Sequence, residues 1–289
     1  DIDIYARHEF YKRNHPEVKI QGGKKDAKSI SIGKKQYWKL TNSTVITEDQ
    51  LGKLNLGQMT RFQRKTRLPM LVSLDNGLYR VNEYELKEST LKGITYSDTL
   101  IDTPDVVEFY LDSSGSMYYG NPVGFNDGSR WDMLCNVLYG FAEALHQGSK
   151  ISKKTCYMRI HNFAEEQVDS RLEPVEKFLE GDLDMITKLF KPDNKYGYEN
   201  LNIMPENDSL KRAYVVATDG ELGIEGLTAR ESTKMRALAR HPNNSAILFE
   251  IGGTYGLGNA VKNDANVHYS QVHDKNKMLS DGLSVLLSK

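Results

Sequence analysis

The chain holds 289 residues, 39% hydrophobic and 27% charged, with 38 Lys and Arg against 39 Asp and Glu. That length supports a large core without metal or disulfide staples, and the near-neutral balance argues against a protein that coats nucleic acid over its whole surface. Two cysteines, Cys135 and Cys156, exclude a disulfide scaffold and a Cys-rich zinc module. No run approaches the ~18 apolar residues of a membrane span, and no secretory signal opens the sequence. A reducing, cytoplasmic setting is the expectation. The sequence opens on Asp1 rather than Met, as a fragment or processed chain would.

Residues 1–104 read as a β-containing accessory region. They carry 18 basic and 13 acidic residues, whereas residues 105–289 carry 20 and 26. Lys24, Lys25, Lys28, Lys34 and Lys35 interrupt a Gly- and Ser-containing stretch. Ser29–Ile32 alternates with period two, and Tyr37–Leu40 and Thr44–Ile46 are further short strand candidates. The clearest unit is Met70–Leu74 and Leu78–Val81 around Asp75-Asn76-Gly77, a hairpin pattern because Asn and Gly tolerate positive φ. Arg61–Arg67 is a basic cluster with one aromatic, Phe62. It reads as a solvated face or, less simply, as a contact for phosphate or an acidic surface. A boundary falls near Thr103-Pro104.

From Asp105 the pattern becomes regular. Val106–Leu111 is a mostly apolar run fit for a strand buried on both faces. Ser129, three residues before Asp132, is a helix-capping signature. Trp131, Leu134, Cys135, Leu138, Phe141, Ala142 and Leu145 follow it at helical spacing. Thr155–Ile160 reads as a strand, Val175–Phe178 and Leu183–Phe190 as helical pieces, and Ala213–Ala217 as a buried strand. Thr228–Arg240 reads as a helix, Ser245–Ile251 and Asn266–Ser270 as strands, and Lys275–Leu287 as an amphipathic helix. Strands alternating with helices imply right-handed crossovers. The result is an α/β fold, a doubly wound and mainly parallel sheet over residues 105–289. Such sheets place ligands at the carboxyl ends of their strands.

Two loops sit at such ends. Asp112-Ser113-Ser114-Gly115-Ser116-Met117 follows the first strand, and Thr218-Asp219-Gly220-Glu221 follows a later one. Asp112, Ser114 and Ser116 alternate, so one turn can aim three oxygens at one point. Carboxylates, hydroxyls and water are what a hard divalent cation prefers.

These residues resemble a von Willebrand factor A domain over residues 105–289. Leu111–Met117 matches the Asp-x-Ser-x-Ser element of that family's metal-ion-dependent adhesion site, and Ala217–Glu221 matches its later Asp loop. The resemblance implies a Rossmann-like sheet with Mg²⁺ (or Mn²⁺ or Ca²⁺) at its top edge. It implies that Ser114 and Ser116 bind the ion directly, that Asp112 and Asp219 act through water, and that a partner protein supplies an acidic residue. The family usually places a Thr in the intervening loop. Here Tyr196–Leu201 puts Glu199 there, either as a metal ligand or as a surface Glu. Glu199-Asn200 also resembles the intracellular branch typified by the cobaltochelatase T-type subunit, which is linked to AAA+ ATPases of the MoxR type. The expected function is therefore a metal-dependent protein-binding adaptor rather than an enzyme.

The alternatives are a metal-dependent phosphoryl-transfer or hydrolytic enzyme at the same loops, or nucleic-acid binding through Arg61–Arg67 and the lysines of residues 19–39. None of the seven His has zinc-ligand spacing, and no Gly-x-Ser-x-Gly elbow or phosphate loop is present. His161 follows a strand and could sit near the site, but the expectation is a structural or surface histidine. Gly252–Gly258 is expected to be a flexible loop beside the site.

Overall fold

The computed structural model describes residues 2–22, 29–54, 66–74, 77–98, 100–118, 129–191, 197–220, 222 and 224–288. Most of the basic cluster (61–65), Lys24, Lys25, Lys28, the turn residues Asp75 and Asn76, Tyr196 and Glu221 lie outside this set.

The second region is the regular one. Its strands are β5 (Val106–Asp112), β6 (Tyr157–Phe163), β7 (Gln167–Asp169), β8 (Glu173–Pro174), β9 (Arg212–Thr218), β10 (Asn244–Ile251) and β11 (Val267–Val272). They form one sheet in the order β11-β10-β9-β5-β6-β7, with β8 also on β6. β5, β6, β9, β10 and β11 are parallel, and β7 and β8 run antiparallel to β6. β5 and β9 are buried along their whole length, as their mostly apolar runs require, and two charges they carry, Glu108 and Arg212, pair with each other at 2.7 Å. The chain winds outward in both directions from β5, so the order reverses between β5 and β9. A crevice opens above such a reversal.

Helices cover both faces. On one face lie α3 (Arg130–Ser152), α4 (Val175–Glu180), α5 (Leu183–Phe190) and α8 (Lys275–Leu286). They pack on Val107, Phe109, Val215, Phe249 and their neighbours, with Phe141 stacked between Phe109 and Phe249. On the other face lie α6 (Leu227–Arg240) and α7 (Gly256–Val261), against Tyr110, Tyr214, Val216 and Leu248. Ser129 caps α3 as its sequence indicates, its Oγ accepting the Asp132 amide at 3.0 Å. The glycine run is not all loop, because Gly256 opens the short α7.

The first region is more ordered than its sequence shows. It contains α1 (Ile2–Asn14), β1 (Glu17–Gly22), β2 (Ser29–Thr47), α2 (Glu48–Lys53), β3 (Arg67–Ser73) and β4 (Leu78–Asp98). The three short strands expected within 29–46 are one strand, β2, paired antiparallel with β4 from Ser29↔Thr95 to Thr47↔Leu78. A single irregularity between Leu40 and Asn42 interrupts the register. Lys35 and Ser43 do not break it because β4 pairs along the full length. The β3–β4 hairpin forms as expected, with Ser73 opposite Tyr79.

This region docks through specific contacts. Tyr11 stacks on Phe190 and gives its hydroxyl to Asp132 at 2.8 Å. The Gln147 side chain on α3 accepts from the Ile20 amide (3.0 Å) and donates to the Val18 carbonyl (2.9 Å). Phe10, Val18, Trp38, Met70 and Tyr84 therefore join the same apolar cluster as the α3 face of the large sheet.

Candidate metal centre

Asp112 ends β5 and Thr218 ends β9, one step beyond the Leu111↔Ala217 pair. Parallel register thus brings two loops 106 residues apart to one point on the sheet edge. The Asp112 carboxylate is locked from both sides, by the Ser114 amide on Oδ1 (2.9 Å) and the Thr218 hydroxyl on Oδ2 (2.6 Å). The Gly220 amide donates to Thr218 Oγ1 at 3.0 Å, which tightens the second loop. Gly220 has φ +95°, and a Cβ there would collide with the buried Glu250 carboxylate, so this turn requires glycine. Behind the first loop, Ser113 bonds to the Asn162 side chain and gives its amide to the Phe163 carbonyl at 2.9 Å. Ser113 faces β6 and away from the other two hydroxyls. Ser114 Oγ and Ser116 Oγ lie 3.2 Å apart.

Asp112, Glu199 and Asp219 meet here, one oxygen from each within 4.8 Å of the others. Glu199 is only 8% exposed, which rules out the surface reading of that residue. A segment without regular secondary structure, residues 200–206, holds it there. The Asn200 amide reaches the Ala164 carbonyl (2.7 Å) and the Asn202 amide reaches Gln167 (2.9 Å). The Ile203 amide bonds to the buried Glu231 (2.8 Å), the Met204 amide to Tyr110 Oη (2.9 Å) and the Glu206 amide to Tyr214 Oη (2.9 Å).

Three buried carboxylates at one point repel one another and forfeit hydration. Burial first, and then the charge of Asp219, pushes the Asp112 carboxyl well above the ordinary carboxylate range. Arg130, the first residue of α3, bonds one oxygen of Asp219, Oδ2, at 3.1 Å. The other oxygen, Oδ1, is buried and has no hydrogen-bond partner among the described residues. A divalent cation would answer that deficit. The donor set of carboxylates and hydroxyls is all oxygen and suits Mg²⁺, Mn²⁺ or Ca²⁺.

Sequence reasoning missed Arg130, Thr218 as the lock on Asp112, and Glu250. Arg130 stands beside the Ser129 cap, but nothing local says that it turns back to Asp219. His161 lies within β6 rather than after it, and of the two expected readings, structural and surface, it is the structural one. It is 1% exposed, lies between Glu108 (2.7 Å) and Asp169 (2.6 Å), and stacks on Tyr110.

Strand order and top-edge loops together define the class, a doubly wound Rossmann-like α/β domain with a β-containing N-terminal region, which is the fold that the resemblance to von Willebrand factor A domains implies. No protein-family model and no curated protein matches the sequence. Among solved structures, the chain is similar to the conserved hypothetical protein BatB from Bacteroides thetaiotaomicron. The likeness is at 15% identity and a TM-score of 0.44, over 61% of this chain and 93% of that one. It is similar to the PilB minor pilin of Streptococcus sanguinis at 12% identity and a TM-score of 0.40, over 86% and 78%. It is similar to the ArnB paralog VWA2 of Sulfolobus acidocaldarius at 8% identity and a TM-score of 0.35, over 87% and 53%. The class rests on this chain's own strand order and loops rather than on these likenesses. Among the described residues, no helix is long and apolar enough to cross a membrane.

Proposed function

We propose that the chain is a Mg²⁺-dependent protein-binding module that takes a carboxylate from an acidic residue of a partner. The observation that carries this reading is Asp219 Oδ1, buried and without a hydrogen-bond partner among the described residues, beside two other buried carboxylates and two hydroxyls. Ser114, Ser116, Asp112, Asp219 and Glu199 would hold the ion, and the ion would supply a short, directional bond to the partner's carboxylate. The residues of the chain preorganise this. Thr218 and the Ser114 amide fix Asp112, Arg130 fixes Asp219, and the segment from residue 200 to 206 fixes Glu199. His161, the histidine expected nearest the site, is committed to Glu108 and Asp169, which favours a binding role over an enzymatic one. An adaptor role in the cytoplasm with a MoxR-type AAA+ ATPase as partner completes the proposal, and this part rests on the resemblance in the loop at Glu199-Asn200.

The test is Mg²⁺ titration by calorimetry on the chain and on Asp112→Ala, with circular dichroism as the check on folding. The expected result is saturable binding that the substitution abolishes while the spectrum is kept. Unchanged affinity in a folded Asp112→Ala would overturn the reading.

A further inference from the structure

Arg130 does more than orient Asp219. Its side chain is 33% exposed, and its only hydrogen bond among the described residues is the one to Asp219. A guanidinium has five N–H donors, so most of the fork is open. Its position is built rather than incidental. The capped start of α3 sets its backbone. Gly252, at φ +93°, leaves a gap where a Cβ would lie 2.9 Å from Arg130 Nη2, so the glycine run lets the guanidinium lie against the sheet edge.

Charge shows what the open fork is for. Asp112, Glu199 and Asp219 bring three negative charges, one more than a divalent ion neutralises. A site left with that surplus would repel an incoming carboxylate. Arg130, ion-paired to Asp219 at 3.1 Å, sets a positive charge against it at the site's edge. A planar fork also matches a carboxylate better than a point charge does.

We infer that Arg130 is a second receptor for the partner's acidic side chain, so that one carboxylate is shared between the metal position and the Arg130 fork. The inference rests on the proposed metal-dependent binding. It explains how a site with Glu199 in it can still accept an external acid.

The experiment uses the full chain, Mn²⁺ in place of Mg²⁺, and glutarate as a stand-in for an acidic side chain, read by water-proton relaxation. Mn²⁺ is expected to raise relaxation, and glutarate to lower it saturably by displacing water. In Arg130→Met, Mn²⁺ is expected to bind at least as tightly, because a like charge is gone, while glutarate binds at least about tenfold more weakly. Arg130→Lys, which keeps the charge and loses the fork, is expected to fall between the two. Glutarate binding in Arg130→Met that equals wild type, with Mn²⁺ weakened instead, would reduce Arg130 to a positioning group for Asp219 and overturn the inference. Mn²⁺ failing to bind the wild-type chain would overturn the proposed function instead, before glutarate is added.

Discussion

A carboxylate at position 199 changes the chemistry of the sheet edge more than any other single side chain there. A hydroxyl in its place would leave two acids, Asp112 and Asp219, to balance a divalent ion. Glu199 adds a third within 4.8 Å of both. Cation affinity rises with the number of charged ligands. Glu199→Thr is therefore expected to weaken Mg²⁺ binding by about tenfold or more, close to 1.4 kcal/mol per decade. The same change also relieves repulsion in the metal-free protein, so its thermal midpoint without Mg²⁺ is expected to rise or hold. Calorimetry and a melting scan on one preparation read both. An unaltered Mg²⁺ affinity would show that Glu199 stands beside the ligand shell and not in it.

Among the elements, the irregular segment at 200–206 does most to place that carboxylate, and it has no strand partner of its own. Four of its amides are taken by side chains from β5, β9 and α6 and from the Gln167 strand, so its position depends on their polar groups staying buried. Glu231 is wholly buried and binds Arg230 and Lys234 as well as the Ile203 amide. Glu231→Ala leaves that amide unsatisfied, which costs about 1–3 kcal/mol. Hydrogen exchange over residues 199–206 is expected to quicken and Mg²⁺ affinity to fall with it. Exchange that stays as slow as in wild type would mean that the tyrosine hydroxyls suffice.

Which elements could be read from sequence follows from the same physics. β5 and β9 are buried on both faces, and α3 carries its cap and its apolar stripe within one stretch of chain, so local pattern reveals them. α1 does not show itself. Ile4, Ala6, His8, Phe10 and Tyr11 are all buried because the helix is wedged between β2 and β3 on one side and α3 and α5 on the other, which blurs any single stripe. β2 looked like three pieces because its continuity is imposed by β4, tens of residues away. The Asp-x-Ser-x-Ser loop was legible because its ligands are neighbours in sequence. Arg130 and Thr218 were not, because their roles exist only once remote loops meet.

At the scale of the whole molecule, the attachment of the N-terminal region to the large sheet is titratable. His8 joins α1 to α3 and α4, with Nδ1 at 2.8 Å from Tyr139 Oη and its ring edge-on to Phe178. Burial, reinforced by Lys12, lowers its pKa to about 4 from the usual 6.5. His15 is likewise lowered to about 3, chiefly by burial and then by Lys35. Both stay neutral in the folded chain while the unfolded chain takes up protons below pH 6.5. Stability contributed by these neutral rings is therefore full above 6.5 and is lost as pH falls toward 4. His161 works in the opposite sense. Its bonds to Asp169 and Glu108 outweigh burial and raise its pKa, so its contribution is full below 6.5 and fades as pH climbs through the raised value. Stability should thus peak near neutrality and fall in acid. The His8 share of the acid loss is roughly 2–3 kcal/mol at pH 4.5. His8→Gln is expected to cost about 1 kcal/mol at pH 7 for the altered Tyr139 contact. Between pH 7 and 4.5 it should then lose less stability than wild type by about that His8 share. Urea midpoints at the two pH values read the difference directly. If both proteins lose the same stability, His8 is not the group whose protonation loosens the N-terminal helix.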